Sequence, residues 1–178
     1  MTLATHAVVG GTVAALFPSH PITAFLAGFF SHFILDAIPH WDYKILSSYA
    51  NSDVAMSANA VETGISKRIK ADKYFIYDLM RIGFDAFLGL AIIFVIWTSS
   101  SFGGWRILLI GAIAGMLPDF LQFAYMRFPH QPMVALQKFH TSLMHAELKL
   151  KNRPILGITT QIITMIVVIV ITKYLINL

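Results

Sequence analysis

The sequence predicts an all-α fold, a polytopic membrane bundle of about five transmembrane helices with a polar site on its cytoplasmic side. Three observations carry this. The composition is 57% hydrophobic and only 12% charged, where ordinary soluble domains carry about 25% charged residues. Mean hydropathy is +0.69. The apolar residues also gather in membrane-length runs separated by short polar breaks. A chain of 178 residues suits one domain, so 1–178 reads as a single integral membrane unit with polar loops at about 43–73 and 127–153. There is no cysteine, which excludes disulfides and thiolate sites and leaves nitrogen and oxygen as metal ligands.

Taken in order, the first span is about Leu3–Phe17, short, with Gly10-Gly11 inside it and His6 near its start. No basic residue precedes its apolar run, so a cleaved signal peptide is not expected. Pro18–Pro21 (PSHP) is a tight turn, because neither proline continues a helix interior. The second span, about Ile22–Ile38, carries His32 and Asp36 and breaks at Pro39, which delivers His40 and Asp42 over its end. Tyr43–Lys73 is polar and basic and reads as a surface loop with room for a short helix. The third span, about Tyr74–Trp97, has Asp78, Arg81 and Asp85 in its first half, and Ser99–Gly104 is a turn. The fourth, about Trp105–Met126, contains GAIAGMLPDF, with Asp119 straight after Pro118 at an expected helix end. Arg127–Arg153 is amphipathic and basic, with His130, His140 and His145. The fifth, about Ile155–Ile176, is apolar enough to span.

Basic residues set the orientation. Five spans put the N-terminus, Lys44–Lys73 and Arg127–Arg153 on one side, with Lys44, Lys67, Arg68, Lys70, Lys73, Arg127, Lys138, Lys149, Lys151 and Arg153; the other side has Arg106 and Lys173. The asymmetry predicts a cytoplasmic N-terminus. The net charge of +4 then reads as a topology and anionic-lipid signal. On this topology His6, His32, Asp36, His40, Asp42, Asp78, Asp85, Asp119, His140 and His145 all fall at the cytoplasmic end. His20 lies in the opposite turn, and His130 follows a proline in a loop. Only Lys and Arg entered the orientation count, so the convergence of His and Asp is independent of it.

His32-x-x-x-Asp36 puts imidazole and carboxylate about 40° apart on one helix face. Either both bind a metal, or Asp36 orients a ligating His32, or the two form a buried hydrogen-bonded pair. Ionisable groups inside a membrane point to function, and His40 and Asp42 follow at once, which favours metal. Trp41 and Tyr43 suit an interfacial aromatic belt. Asp78, Arg81 and Asp85 share a stripe, positions 78 and 85 standing about 20° apart. Arg81 either neutralises Asp78 or binds a substrate phosphate, and Asp85 is a candidate ligand or general base. Gly111-x-x-x-Gly115 lets helices approach closely. His140 and His145 stand about 140° apart on a regular helix, so His140, beside Thr141 and Ser142, is the candidate ligand. Gln122 is a candidate neutral ligand or hydrogen-bond donor.

No G-x-S-x-G elbow or P-loop is present. The only nucleic-acid signal, Lys67–Lys73, is explained by a cytoplasmic loop, so no nucleic-acid partner is expected. Thr5-His6, His32-x-x-x-Asp36-x-x-Pro39-His40-x-Asp42, the G-A-x-x-G-x-L-P-D block at 111–119 and His140-Thr141-Ser142 together resemble the bacterial and archaeal inner-membrane metal-dependent hydrolases (LexA-binding hydrolases). More distantly they resemble zinc-dependent phospholipase C. The likeness runs from position 5 to about 145 in four short islands whose order is more specific than any one of them. Gln122 and Lys138-Phe139 depart from it, standing where such proteins often carry a second Asp and an Arg-Gly.

The resemblance implies a divalent metal, zinc foremost and Mn or Mg as alternatives, and hydrolysis. The expected ligands are His6, His32, Asp36, Asp85, Asp119 and His140; His40, Asp42 and Arg81 are the expected catalytic groups. More than four candidates suit two ions sharing a carboxylate, or one ion and an outer shell. The expected partner is a membrane lipid or lipid-linked substrate, with a phosphoester preferred because the rim is basic (Lys44, Arg81, Lys138). A homo-oligomer is open through Gly111, Gly115 and the fifth span, and the expected location is a bacterial or archaeal inner membrane. The rival is a non-enzymatic cation or proton carrier, or a scaffold. A carrier needs polar groups to both faces, and the outer halves supply only Thr12, His20, Thr98 and the Thr159–Gln161 group.

Overall fold

Helices begin where the sequence supplies a start signal. Thr2 caps α1 (Leu3–Ala14), its hydroxyl accepting the Thr5 amide at 3.4 Å. Prolines open α2 (Pro21–Asp36) and α6 (Pro154–Ile176) in the first turn, where a missing N–H costs nothing. Between them lie α3 (Lys73–Thr98), α4 (Trp105–Arg127) and α5 (Met133–Leu143). This computed structural model describes residues 1–43, 45–46, 48–49, 68–69, 73–98, 104–127, 130–143, 150 and 152–177. Among the described residues the remaining regular structure is a two-residue antiparallel ladder, Ser48–Tyr49 with Arg68–Ile69. The short helix expected in 43–73 and most of the turn at 99–104 lie outside the described residues.

The architecture is the helical bundle that the composition implies. Tyr74–Trp97, Trp105–Tyr125 and Pro154–Ile176 are long and apolar enough to cross a membrane. Five full spans are not borne out. α1 has 12 residues and α2 has 16, roughly 18 and 24 Å of helix, against a hydrocarbon core of ~30 Å. Pro18 and Pro21 bound the turn between α1 and α2, and Pro39 follows the end of α2, so Leu16, Phe17 and Ile38, just before those prolines, do not join a helix.

α1 and α2 instead form a hairpin set into the bundle against α4, and glycines make the fit. A Cβ at Gly10 or at Gly28 would lie 2.5 Å from the Gly111 carbonyl oxygen, and one at Gly115 would lie 2.6 Å from the His6 carbonyl oxygen. Backbone therefore touches backbone. Gly111 and Gly115 serve contacts within this chain and are not left for a second copy. Apolar clusters flank the hairpin. Met1, Val9 and Leu35 pack toward Met165 and Val168 of α6, and Ala14 and Ala24 pack on Ile107. α3 and α6 turn apolar side chains outward, with Phe84 and Phe87 each 67% exposed and Ile155 83%, the surface that lipid covers.

Contacts fix the poles. Asp78, early in α3, reaches Leu46 and Asp85, at its middle, reaches Leu3, and Gln161, in the first half of α6, reaches Thr2 and Trp41. At the far end Lys173 donates to the Ile96 carbonyl at 3.2 Å and sits over Trp97. The starts of α1, α3 and α6 and the end of α2 thus share one pole. Pro118, expected at a helix end, lies inside α4, which continues to Arg127. Its ring removes one N–H from the ladder without stopping a helix buried on several sides.

Candidate metal centre

His32 and Asp36 occupy the last turns of α2, buried at 0% and 5% exposure. His32 Nε2 lies 3.2 Å from Asp36 Oδ2. His140, carried by α5, brings its Nε2 to 3.2 Å from the same oxygen and 3.5 Å from His32 Nε2. Asp119 of α4 sets Oδ1 3.7 Å from His32 Nε2. One ligand atom from each of these four residues lies within 4.8 Å of all the others. Ligand atoms around a tetrahedral zinc, bound at ~2.0–2.1 Å, stand roughly 3.3 Å apart. The three closest atoms here form a triangle of about that edge.

The imidazoles are presented as ligands must be. His32 Nδ1 is 2.9 Å from the Gly115 carbonyl oxygen. A carbonyl only accepts, so Nδ1 carries the hydrogen and Nε2 offers its lone pair to the pocket. His40 repeats this with the Ile38 carbonyl at 2.7 Å. The carbonyl used by His32 lies in the turn of α4 that Pro118 disturbs.

His6 stacks on His32 with ring centroids 4.0 Å apart. Its Nε2 is 3.2 Å from Asp36 Oδ1 and 3.7 Å from Asp119 Oδ2, yet neither ring nitrogen meets hydrogen-bond geometry with a partner among the described residues. An orphaned buried polar group costs about 1–3 kcal/mol. Close approach without hydrogen bonding is the relation of atoms that point at a common ion, and a cation on Nε2 would relieve that nitrogen. A donor set of imidazole nitrogen and carboxylate oxygen, without sulfur, fits zinc and accepts manganese. The Met1 ammonium also faces this pocket, 2.7 Å from Asp36 Oδ1 and 3.0 Å from His40 Nε2.

Of the expected ligands, then, His6, His32, Asp36, Asp119 and His140 come together, with His40 beside them. Asp85 does not join the group, a correction to its expected role. Its Oδ2 accepts the Leu3 amide at 2.7 Å and the Tyr43 hydroxyl at 3.4 Å, because the open N-terminus of α1 draws a carboxylate to an amide without an intrahelical partner. Asp42 Oδ1 accepts the Tyr43 amide at 2.8 Å, and Asp78 Oδ1 accepts the Leu46 amide at 3.1 Å. Arg81 lies over the Tyr43 ring, 4.3 Å from its centroid. Its expected ion pair with Asp78 or Asp85 is not among the contacts of the described residues. Burial pushes the Tyr43 phenol above the ordinary tyrosine range, and the Asp85 and Asp42 carboxylates add to the shift, so Tyr43 stays a donor. His20 and His130 are exposed and away from the site. Lys44, His145, Glu147 and the side chains of Thr141 and Ser142 lie outside the described residues.

Gln161 was placed by the sequence in an outer half and is found at the site pole. Its Oε1 accepts from the Thr2 amide at 3.1 Å and the Thr5 hydroxyl at 3.0 Å, while Nε2 donates to the Trp41 carbonyl at 2.7 Å. It ties α6 to the start of α1 and to the segment after α2. Its position one to two turns after Pro154 was the available signal.

Fold and site together define a class: a helical membrane protein with a buried His/Asp cluster able to hold a metal ion at one pole. No family model, curated protein or solved structure matches the chain, so the resemblance to inner-membrane hydrolases rests on the four sequence islands.

Proposed function

We propose that this protein is a membrane-embedded metal-dependent hydrolase acting on a phosphoester, or an ester, of a lipid headgroup at the cytoplasmic face of an inner membrane. The observation that carries the reading is the convergence of four buried or half-buried candidate ligands from α2, α4 and α5 beside a fully buried His6 that lacks a hydrogen-bond partner among the described residues. His32, Asp36, Asp119 and His140 hold the ion, zinc first among the metals. A bound divalent ion polarises the ester oxygen and lowers the pKa of its water toward ~7.

The chain's own groups do the rest. Hydrolysis adds water across the ester bond, breaking P–O or C–O, and the departing alcohol takes a proton. His40, with Nδ1 held by Ile38 and Nε2 facing the pocket, is placed to take the proton of water and return it to the alcohol. Arg81 and Lys138 offer positive charge at the rim for a headgroup phosphate, and the exposed Phe139 beside Phe33 gives acyl chains an apolar wall. A carrier would need titratable groups to continue along the bundle. Toward the far pole the buried polar side chains of the described residues reduce to hydroxyls such as Thr12 and Thr172.

The test is hydrolysis by purified protein in phospholipid vesicles. Headgroup release that requires divalent metal, and that falls to background in His32→Ala and Asp36→Ala, is the expected result. Intact lipid together with cation or proton uptake that Asp85→Asn abolishes would replace hydrolase with carrier.

A further inference from the structure

We infer that the pocket is built for two ions, the second held by His6 and His40, with Asp36 and Asp119 bridging both positions; this rests on the metal-dependent reading above. Each carboxylate shows one oxygen to each side. Asp36 Oδ2 faces His32 and His140, both at 3.2 Å. Asp36 Oδ1 faces His6 at 3.2 Å and His40 at 3.9 Å. Asp119 divides in the same sense, with Oδ1 3.7 Å from His32 and Oδ2 3.7 Å from His6.

One ion cannot use both stacked histidines. The His6 and His32 rings are 4.0 Å apart and 25° from parallel. The Nε2 lone pairs lie in the ring planes, so they aim along separate lines, and an ion in one plane is out of reach of the other. His32 has His140 and Asp36 on its line. His6, with no hydrogen-bond partner among the described residues at 0% exposure, is left aimed between Asp36 Oδ1 and Asp119 Oδ2. His40, whose tautomer is fixed with Nε2 facing inward, supplies the fourth group, so in the two-ion pocket it serves as a ligand in place of the proton-transfer role given above. Paired ions sharing carboxylates are a recurrent device for displacement at phosphorus.

The experiment uses the full chain in detergent, stripped by chelator and refilled with cobalt(II), then read by elemental analysis and EPR. The expected result is two ions per chain with a spin-coupled spectrum, falling to one uncoupled ion in His6→Gln and likewise in His140→Gln. One ion per chain in the wild type overturns the second position and leaves the first. Two ions persisting in folded His6→Gln overturn the assignment of His6. No ion in the wild type overturns both this inference and the metal-dependent reading. The wild-type count and spectrum decide the matter even where a variant fails to fold.

Discussion

Among the described residues, four helix-borne carboxylates gather toward one pole of this bundle, and they divide into two pairs. Asp36 and Asp119 face imidazole nitrogens. Asp78 and Asp85 face backbone amides of Leu46 and Leu3. All four sit on apolar helices, so their setting alone does not separate them. What separates them is the partner. A donor N–H or O–H occupies acceptor sites of a carboxylate and ties it to its neighbour, whereas an imidazole lone pair and a carboxylate both call for a cation.

The contrast is sharpest under substitution. Asp36→Asn should abolish metal retention, lowering affinity by more than the ~10–100-fold that loss of an outer partner costs; elemental analysis of the purified variant reads this. Gly115→Ala should come next. The added methyl would meet the His6 carbonyl oxygen at 2.6 Å, pushing α1 away from α4 and moving His6 from the pocket. Stability and metal retention should fall together, with a loss of about 1–3 kcal/mol in the melting curve. Gln161→Ala should cost roughly 1–2 kcal/mol by unhooking Thr2, Thr5 and Trp41, while metal content stays at the wild-type level. Asp85→Asn should be the mildest, about 1 kcal/mol from a weakened contact at the α1 N-terminus, again with metal retained. An Asp85→Asn protein that loses metal as Asp36→Asn does would erase the division between the pairs.

The cluster was legible because two independent patterns pointed to one end: Lys and Arg grouped the loops, and His and Asp fell at that same end. Its membership was less legible. Asp85 shares a helix stripe with Asp78 and Arg81, but a stripe says nothing about what the facing element offers, here the unpaired Leu3 amide. Gln161 was assigned to an outer half although it stands about two turns after Pro154, at the start of a span whose preceding basic loop already marks the site pole. The structure supports three of the five expected spans by length. Apolar residues run on through Phe17 and Ile38, while the backbone is halted by Pro18 and Pro39, so hydropathy overstates the length of α1 and α2. Pro118 misled in the opposite direction, since a helix packed on several sides holds together across a missing N–H.

The most direct measurement is the metal content of the detergent-purified wild type beside Asp36→Asn and Asp85→Asn, each checked for helical content. The account expects divalent metal in the wild type and in Asp85→Asn, and none in a folded Asp36→Asn. A metal-free wild type of full stability, or a folded Asp36→Asn that keeps its metal, would contradict it.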